Sequence, residues 1–233
     1  MPIRRPHTRT VVLAAALAGA AVAAGCRAAA APPIDTGALP IASDADADTL
    51  LVDVRTLEPT IRVDARYAGS DNFTGAPLPG YDANRALLRR EAAAALARVQ
   101  RRLAPLGLGL LVWDAYRPVR ATRAMVDWTE RTGRQHLVRD GYIASRSRHN
   151  LGLAIDLTLV RRDDGTPLDM GTPFDHFGAD AHTANATGTV RVNRTRLVTA
   201  MTAEGFTNYD QEWWHFSYQV PDARPFDRPI TPR

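Results

Sequence analysis

Two short segments of this 233-residue chain carry side chains suited to a single metal ion. One contains His149 and Asp156, and the other, near the end of the chain, contains Glu212 and His215. Catalytic zinc sites typically have three protein ligands and a fourth position for water. A carboxylate close to such a site can take a proton from that water. The residue types therefore predict a metallohydrolase with His149, Asp156 and His215 as ligands and Glu212 as the base.

The surroundings of two of these residues favour a metal over the commoner structural role of a single His or Asp. Asp156 lies in the apolar run Ala154–Leu157, where an unpaired carboxylate would be strongly destabilising. A metal or an arginine must compensate its charge. His215 stands among aromatic residues, which are also a poor environment for a polar ring without a partner.

Charge and hydropathy at the N-terminus predict a secretory signal peptide at residues 1–25. Arg4, Arg5 and Arg9 precede an uncharged run from Val11 to Ala24 that is too short for a mature membrane anchor. Removing these three of the 29 basic residues leaves 26 against 25 acidic ones. The remaining chain is nearly neutral, so nucleic-acid binding has no electrostatic support.

The single cysteine, Cys26, follows Ala-Ala-Gly at the end of the apolar run. Small residues before a Cys resemble a bacterial lipobox, which predicts lipidation of Cys26 and a location in the periplasm or at the cell surface. Cleavage at a nearby Ala-x-Ala site is the alternative. Residues 26–48 are rich in Ala, Pro and Asp and are predicted to be a tether to a folded domain at 49–233. One cysteine allows no disulfide within the chain.

All of the basic residues are arginines, because the chain contains no lysine. Serine D,D-peptidases require a Ser-x-x-Lys motif, so that class is excluded. Schiff-base catalysis and a Walker-type phosphate loop also require lysine and are excluded with it.

Hydrophobic periodicity predicts a mixed fold. Helices are predicted at 85–103, 118–132 and 193–204, and strands at 51–54, 61–65, 108–113, 152–159 and 213–220. These elements do not follow a regular βαβ order. The sequence therefore predicts an α+β fold in which a small, largely antiparallel sheet is flanked by helices and carries a single zinc site in a cleft.

The pattern Ser-x-His-x6-Asp, followed at a distance by Glu-x-x-His, is similar to that of the zinc D-Ala-D-Ala peptidases. This family includes D,D-carboxypeptidases and D-alanyl-D-alanine dipeptidases of the VanX type. Further segments resemble the dipeptidase branch, and they lie at Asp71–Gly75, Trp113–Pro118, Ser145–Leu159 and Met170–Asp175. The resemblance extends over essentially all of the chain after the predicted tether.

The resemblance implies one Zn²⁺ per chain, bound by His149, Asp156 and His215, with Glu212 as general base. It also implies that Arg117 stabilises the oxyanion of the transition state, as a fixed guanidinium can. A structural ion pair with a buried acid is the alternative for Arg117. His176 and His182 are expected not to be ligands, because three ligands complete the site.

Four other positions match substrate-contacting residues of the family: Ser147, Asp175, Tyr67 and Tyr81. For Asp175 the chemistry supports contact with substrate, since the ammonium of a free dipeptide needs a carboxylate partner. A hydroxyl that stabilises a turn would look the same as Ser147 in the sequence. Core packing is an equally good interpretation of the two tyrosines.

We therefore expect a zinc D,D-dipeptidase that hydrolyses D-alanyl-D-alanine or a closely related D-dipeptide by Glu212-assisted attack of water. A zinc D,D-carboxypeptidase or endopeptidase that trims peptidoglycan stem peptides is the nearest alternative. A non-catalytic zinc module that binds wall peptides is a third, but such a module has no use for Glu212 and Arg117. The sequence leaves the oligomeric state open.

Overall fold

The computed structural model describes residues 40–232. Its helices are α1 (Asp44–Leu50), α2 (Val54–Leu57), α3 (Arg90–Leu103), α4 (Val119–Arg131), α5 (His136–Arg139) and α6 (Gly188–Thr202). Its strands are β1 (Leu51–Asp53), β2 (Arg62–Val63), β3 (Leu87–Arg89), β4 (Leu108–Asp114), β5 (Ala154–Arg161), β6 (Thr207–Tyr209) and β7 (Glu212–Ser217). Short 3₁₀ turns occur at Arg66–Ala68, Ala104–Leu106, Arg148–Leu151 and Ala179–Ala181.

The main sheet has five strands in the order β2-β4-β5-β7-β6, and β1 pairs with β3 in a separate two-stranded sheet. Only the β2–β4 pair is parallel, and the other strand pairs are antiparallel. Strand β5, at the centre, is buried along seven of its eight residues. The prediction of an α+β fold with a small, largely antiparallel sheet is confirmed.

Helix α3 packs an apolar face into the core, as its spacing predicted. Ala92, Leu96, Val99 and Leu103 are almost fully buried. The predicted start at Arg85 was wrong, because residues 87–89 pair with β1 as strand β3. Over so short a run, the spacing of Leu87 and Leu88 fits both a helix and a strand. Pairing with β1 selects the strand.

The folded part begins earlier than the predicted boundary at residue 49. Residues 44–48, placed in the predicted tether, belong to α1, which Ser43 and Asp46 start with reciprocal capping hydrogen bonds. Ala47 of α1 is buried, and Arg228 pairs with Asp48 at 3.0 Å. The predicted signal peptide at 1–25, Cys26 and the tether up to residue 39 lie outside the described residues. Within residues 40–232, no helix has both the length and the apolar character needed to cross a membrane.

The entry to β5 is a tight turn. The 3₁₀ helix Arg148–Leu151 begins at Ser147, whose hydroxyl accepts a hydrogen bond from the His149 N–H, and ends at Gly152 in the left-handed region with φ +66°. A Cβ added to Gly152 would lie 2.5 Å from Leu51 Cδ2 and 3.3 Å from the backbone nitrogen of Arg89. This close approach fixes the segment that carries His149 against β1 and β3.

Replacing Gly152 with Ala should therefore destabilise the fold by about 2–3 kcal/mol, since left-handed strain and a steric clash act together. Gly133→Ala is the matched control, because Gly133 has φ +69° but no atom within 4 Å of an added Cβ. That control should cost about 1 kcal/mol. Urea unfolding of both variants measures the difference, and equal losses would show that the approach of Leu51 and Arg89 contributes nothing.

Candidate metal centre and active site

Three neighbouring strands align the acidic and imidazole groups of the site. Asp156 on β5 is paired in register with Asp114 on β4 and with His215 on β7. His149 reaches the same point from the 3₁₀ turn before β5. The structure thus brings together the three predicted metal ligands, although they are separated by up to 66 residues in the chain.

The ligand atoms have spacings that suit one ion. His149 Nε2 lies 3.4 Å from Asp156 Oδ2 and 3.2 Å from His215 Nδ1, and His215 Nδ1 lies 2.9 Å from Asp156 Oδ1. Zinc bonds of about 2.0–2.1 Å in tetrahedral geometry place neighbouring donors about 3.3 Å apart. The two imidazoles and one carboxylate therefore fit the donor set and the size of a zinc site. Among residues 40–232 this is the one group of three or more His, Cys, Asp or Glu residues with such spacing, and it excludes His176 and His182.

The surrounding contacts leave the correct nitrogen of His149 available. Its Nδ1 lies 2.6 Å from the carbonyl oxygen of Ala115, a hydrogen bond that fixes the ring and leaves Nε2 facing Asp156 and His215. Asn208 holds the strand of the other imidazole, donating to the carbonyl oxygens of His215 at 2.9 Å and Glu212 at 3.1 Å. The His149 ring is therefore fixed by a hydrogen bond outside the metal position, and the backbone that carries His215 is held by Asn208.

The protonation states also suit a cation. Burial lowers the pKa of His215 below its ordinary value, so the ring is neutral at pH 7. Burial alone would raise the pKa of Asp156, but the adjacent rings of His149 and His215 outweigh it and hold that pKa below the usual range. A neutral His215 ring and an ionised Asp156 carboxylate are forms that bind metals.

Glu212 lies beside the triad at the start of β7. Its Oε2 is 3.8 Å from His215 Nδ1, and its side chain is 11% exposed. Burial raises the pKa of Glu212 well above its usual range, and the negative charges of Asp156 and Asp175 raise it further. This carboxyl therefore has a strong tendency to hold a proton, as a group that accepts protons from water requires.

Arg117 is buried and its guanidinium is fixed by Asp114. Its Nε and Nη2 donate to Asp114 Oδ2 at 3.0 and 2.7 Å, and Nη2 lies 3.9 Å from Asp156 Oδ2. Burial opposes the charge, but Asp114 outweighs it and raises the pKa of Arg117 above its ordinary value. The structural ion pair considered as an alternative is present, and the same pair holds a permanent cation beside the metal ligands.

The two predicted tyrosines occupy different positions. The Tyr67 hydroxyl donates to the Asp175 carboxyl at 3.1 Å, and its ring lies 5.2 Å from the Arg117 guanidinium. Tyr81 contacts the carboxylate that also binds Arg117, since its hydroxyl donates to Asp114 Oδ1 at 2.5 Å. Both rings belong to a buried cluster, so their packing function is evident. Burial, followed by the charge of Asp156, raises the pKa of Asp175 well above its usual range.

Ser147 is buried, and its hydroxyl accepts the His149 N–H at 3.2 Å, which is the turn-stabilising role considered for it. Sequence reasoning missed Asp114 and Asn150 as site residues. Asn150 Nδ2 donates to the Arg117 carbonyl oxygen at 2.8 Å and so joins the arginine to the His149 turn. An acid at the end of an apolar strand, three residues before an arginine, is a signal that could have identified Asp114.

The arrangement combines three metal-ligand atoms, a proton-accepting carboxyl and a fixed cation in a buried space. This is the equipment for attack of water on a carbonyl group, because charge that develops on the oxygen is stabilised most strongly where water is excluded.

Comparison with known proteins agrees with this chemistry. The profile of the Peptidase_M15 family, described as D-ala-D-ala dipeptidase, matches residues 47–231. A D-alanyl-D-alanine dipeptidase of Enterococcus faecium is 39% identical over 171 residues, which cover 67% of this chain and 85% of that protein. One of Streptomyces coelicolor is 39% identical over 194 residues, which cover 73% and 93%.

The chain is also similar to a solved structure of the vancomycin-resistance D,D-dipeptidase VanXYg in complex with a D-Ala-D-Ala phosphinate analogue. The match covers 74% of this chain and 68% of the VanXYg chain. It is 18% identical, with a TM-score of 0.41. The sequence matches carry the assignment. On the extent and identity of those matches, this chain belongs to the M15 family of D-Ala-D-Ala dipeptidases.

Proposed function

We propose that this protein hydrolyses D-alanyl-D-alanine, or a closely related D-dipeptide, to free D-amino acids. The observation that carries the proposal is the buried group of His149, Asp156 and His215 with Glu212 and Arg117 on its border. Family membership supports the substrate class.

We assign one Zn²⁺ per chain to His149 Nε2, His215 Nδ1 and the Asp156 carboxylate. When bound, the ion supplies polarisation of the scissile carbonyl and a lower pKa for the attacking water. The contact from His149 to Ala115 orients that ring, and burial lowers the pKa of His215, which favours the neutral form that the ion requires.

Glu212 takes the proton of the attacking water and returns it to the leaving amine. Its position 3.8 Å from His215 supports this role, since it borders the metal position without being one of the three closest donors. Burial, which raises the pKa of its carboxyl, makes it a stronger proton acceptor than an exposed glutamate.

Arg117 stabilises the negative charge that develops on the carbonyl oxygen during attack. The hydrogen bonds that Arg117 donates to Asp114 fix the guanidinium before substrate arrives, so little reorganisation is needed in the transition state. Asp114 is therefore a positioning residue, and it also lies 3.3 Å from His149 Nδ1.

Asp175 recognises the amino end of the dipeptide. It borders the site through Tyr67 and is half-buried, so a substrate ammonium there would gain a charge-assisted hydrogen bond partly shielded from water. A D,D-carboxypeptidase acting on stem peptides would use the same metal residues, and the carboxylate for a free ammonium favours the dipeptide.

The metal-free protein should bind one Zn²⁺, and His215→Ala should lower its affinity by more than about 100-fold because one of three ligands is lost. His176→Ala is the matched control and should bind zinc as the wild type does. Calorimetric titration with zinc measures both. Equal affinities in all three proteins would contradict the assigned site.

Glu212→Gln should lower kcat/KM for D-Ala-D-Ala by about 100- to 10,000-fold, since the amide cannot accept the proton. Zinc stoichiometry should be unchanged, because Glu212 is not a ligand. Release of free D-alanine by the zinc-loaded proteins measures activity, and a stem pentapeptide is assayed beside the dipeptide. Cleavage of the pentapeptide alone would assign a carboxypeptidase instead.

We also propose that the protein is exported through the signal peptide at residues 1–25 and anchored by lipid at Cys26. An enzyme outside the cytoplasm would process or salvage D-dipeptides there rather than deplete the cytoplasmic pool.

The Cys26→Ser variant should move from the membrane fraction to the soluble exported fraction, because it removes the acylated thiol. Fractionation of cells producing the full chain, with immunodetection, measures the distribution. Recovery of the wild type in the cytosol with residues 1–25 intact would contradict export.

A further inference from the structure

A long loop between β5 and α6 carries Asp175, the residue assigned to the amine of the substrate. This Asp175 loop, residues 169–182, contains neither a strand nor an α-helix, and its regular structure is limited to the 3₁₀ turn Ala179–Ala181. Asp175 has φ +60°, in the left-handed region that non-glycine residues rarely adopt. Such a conformation persists only where the surrounding structure determines it. Other parts of the fold must therefore hold this loop in place.

Arg194 of α6 binds both ends of the Asp175 loop. Its Nε donates to the carbonyl oxygen of Met170 at 2.9 Å. Its Nη1 and Nη2 donate to the carbonyl oxygens of His182 and Asp180, both at 2.8 Å. Arg194 is only 2% exposed, so water competes little for these hydrogen bonds. Because the donors of a planar guanidinium have fixed directions, one side chain holds the two ends of the loop together.

The preceding residue of α6 and a glycine of the loop add to this contact. Asn193 is 4% exposed, and its Nδ2 donates to the Asp169 carbonyl oxygen at 2.9 Å. Gly171, with φ +86°, approaches α6 closely. A Cβ added to it would lie 3.2 Å from Arg194 Nη2 and 2.8 Å from Val190 Cγ1. The first residues of the loop are therefore packed tightly against α6.

The loop is also joined to β7, the strand that contributes the proposed base and one proposed metal ligand. Trp213 of β7 donates its indole N–H to Thr172 Oγ1 at 2.8 Å. The guanidinium of Arg194 lies 5.8 Å from the centre of the Trp213 ring. These contacts connect α6, the loop and β7, so they fix the position of Asp175 relative to the metal centre.

We propose that Arg194 is a positioning residue for recognition of the substrate's amine, which it supports by holding the Asp175 loop against α6 and β7. The inference rests on the proposed function, because it takes Asp175 as the partner of the ammonium. The three carbonyl groups that Arg194 binds belong to Met170, Asp180 and His182, none of which is an assigned metal ligand. Zinc binding should therefore not depend on Arg194.

The test compares the affinities of D-Ala-D-Ala and propionyl-D-alanine, which has the same carbon skeleton but no ammonium. Calorimetric titration of the zinc-loaded protein in the Glu212→Gln background measures both. With Arg194 present, the dipeptide should bind about 10- to 100-fold more tightly, the difference expected for a hydrogen bond between charged groups. Below, this ratio is called the amine preference.

Arg194→Lys keeps the positive charge but cannot bind three carbonyl oxygens in the same fixed geometry. It should lower the amine preference by about fivefold or more, whereas the affinity for propionyl-D-alanine should change by less than about twofold. Arg196→Lys is the matched control, because Arg196 is an exposed arginine of the same helix, and it should leave the preference unchanged. Each variant should still bind one Zn²⁺.

Two further variants separate positioning from a general loss of structure. Asn193→Ala removes the hydrogen bond to Asp169 with a smaller disturbance of the core, and should lower the amine preference by about two- to fivefold. Asp175→Asn removes the charge that the ammonium meets. Because Arg194 acts through Asp175, adding Arg194→Lys to Asp175→Asn should lower the preference by less than about twofold more.

These binding measurements do not depend on catalysis. Release of D-alanine tests the proposed function, so a failure there is distinguished from a failure of this inference. The inference is overturned if the protein binds the two ligands equally, or if Arg194→Lys weakens both to the same extent. Additive effects of Arg194→Lys and Asp175→Asn would also overturn it. If Arg194→Lys does not fold, Asn193→Ala decides, and an unchanged preference in that variant overturns the inference.

Discussion

The carboxylate of Asp114 is the contact on which the geometry of the site depends. It lies at the end of β4, where a register shift between Val112 and Asp114 brings it opposite Asp156. It is 2% exposed and accepts bonds from Tyr81, the Ala115 N–H and Arg117. Because a buried carboxylate must be compensated, this one fixes the guanidinium. The backbone N–H of Arg117 in turn donates to the His149 carbonyl oxygen at 3.1 Å. The backbones of the arginine and of the predicted metal ligand are therefore held together.

The carboxyl groups around Arg117 outnumber its single positive charge, and this imbalance favours binding of a metal ion. Arg117 lies among four carboxyl groups, those of Asp114, Asp156, Asp175 and Glu212. Burial, followed by the charge of Asp156, raises the pKa values of Asp175 and Glu212, so further negative charge in the site is unfavourable. A divalent cation would relieve that repulsion, since a bound ion is commonly the largest charge in its surroundings. The fold thus holds these acids together at a cost that a bound metal would offset.

The sequence was sufficient to predict that His149, Asp156 and His215 lie together, because residue type and spacing are local properties of two short segments. The α+β fold and the positions of α3, β4, α4 and β5 followed from periodicity in the same way. Strand β3 and the start of α1 were not predicted, since Leu87–Arg89 depend on pairing with distant β1 and α1 is held by Arg228. The cavity between the loops 66–73 and 167–175 could not be predicted either, because these loops lie about a hundred residues apart and only the fold brings them together.

The segment from Phe226 to Ile230 packs against several distant parts of the domain, including the turn that carries His149. The Phe226 N–H donates to the Asn150 carbonyl oxygen at 2.9 Å, the Phe226 carbonyl oxygen accepts from Val119, and Ile230 bridges to Tyr81. The turn that carries His149 is therefore completed by contacts from a segment far along the chain from it. Such non-local closure is slow compared with helix formation. The position of His149 therefore depends on contacts that form only when the segment around Phe226 has folded back onto the domain.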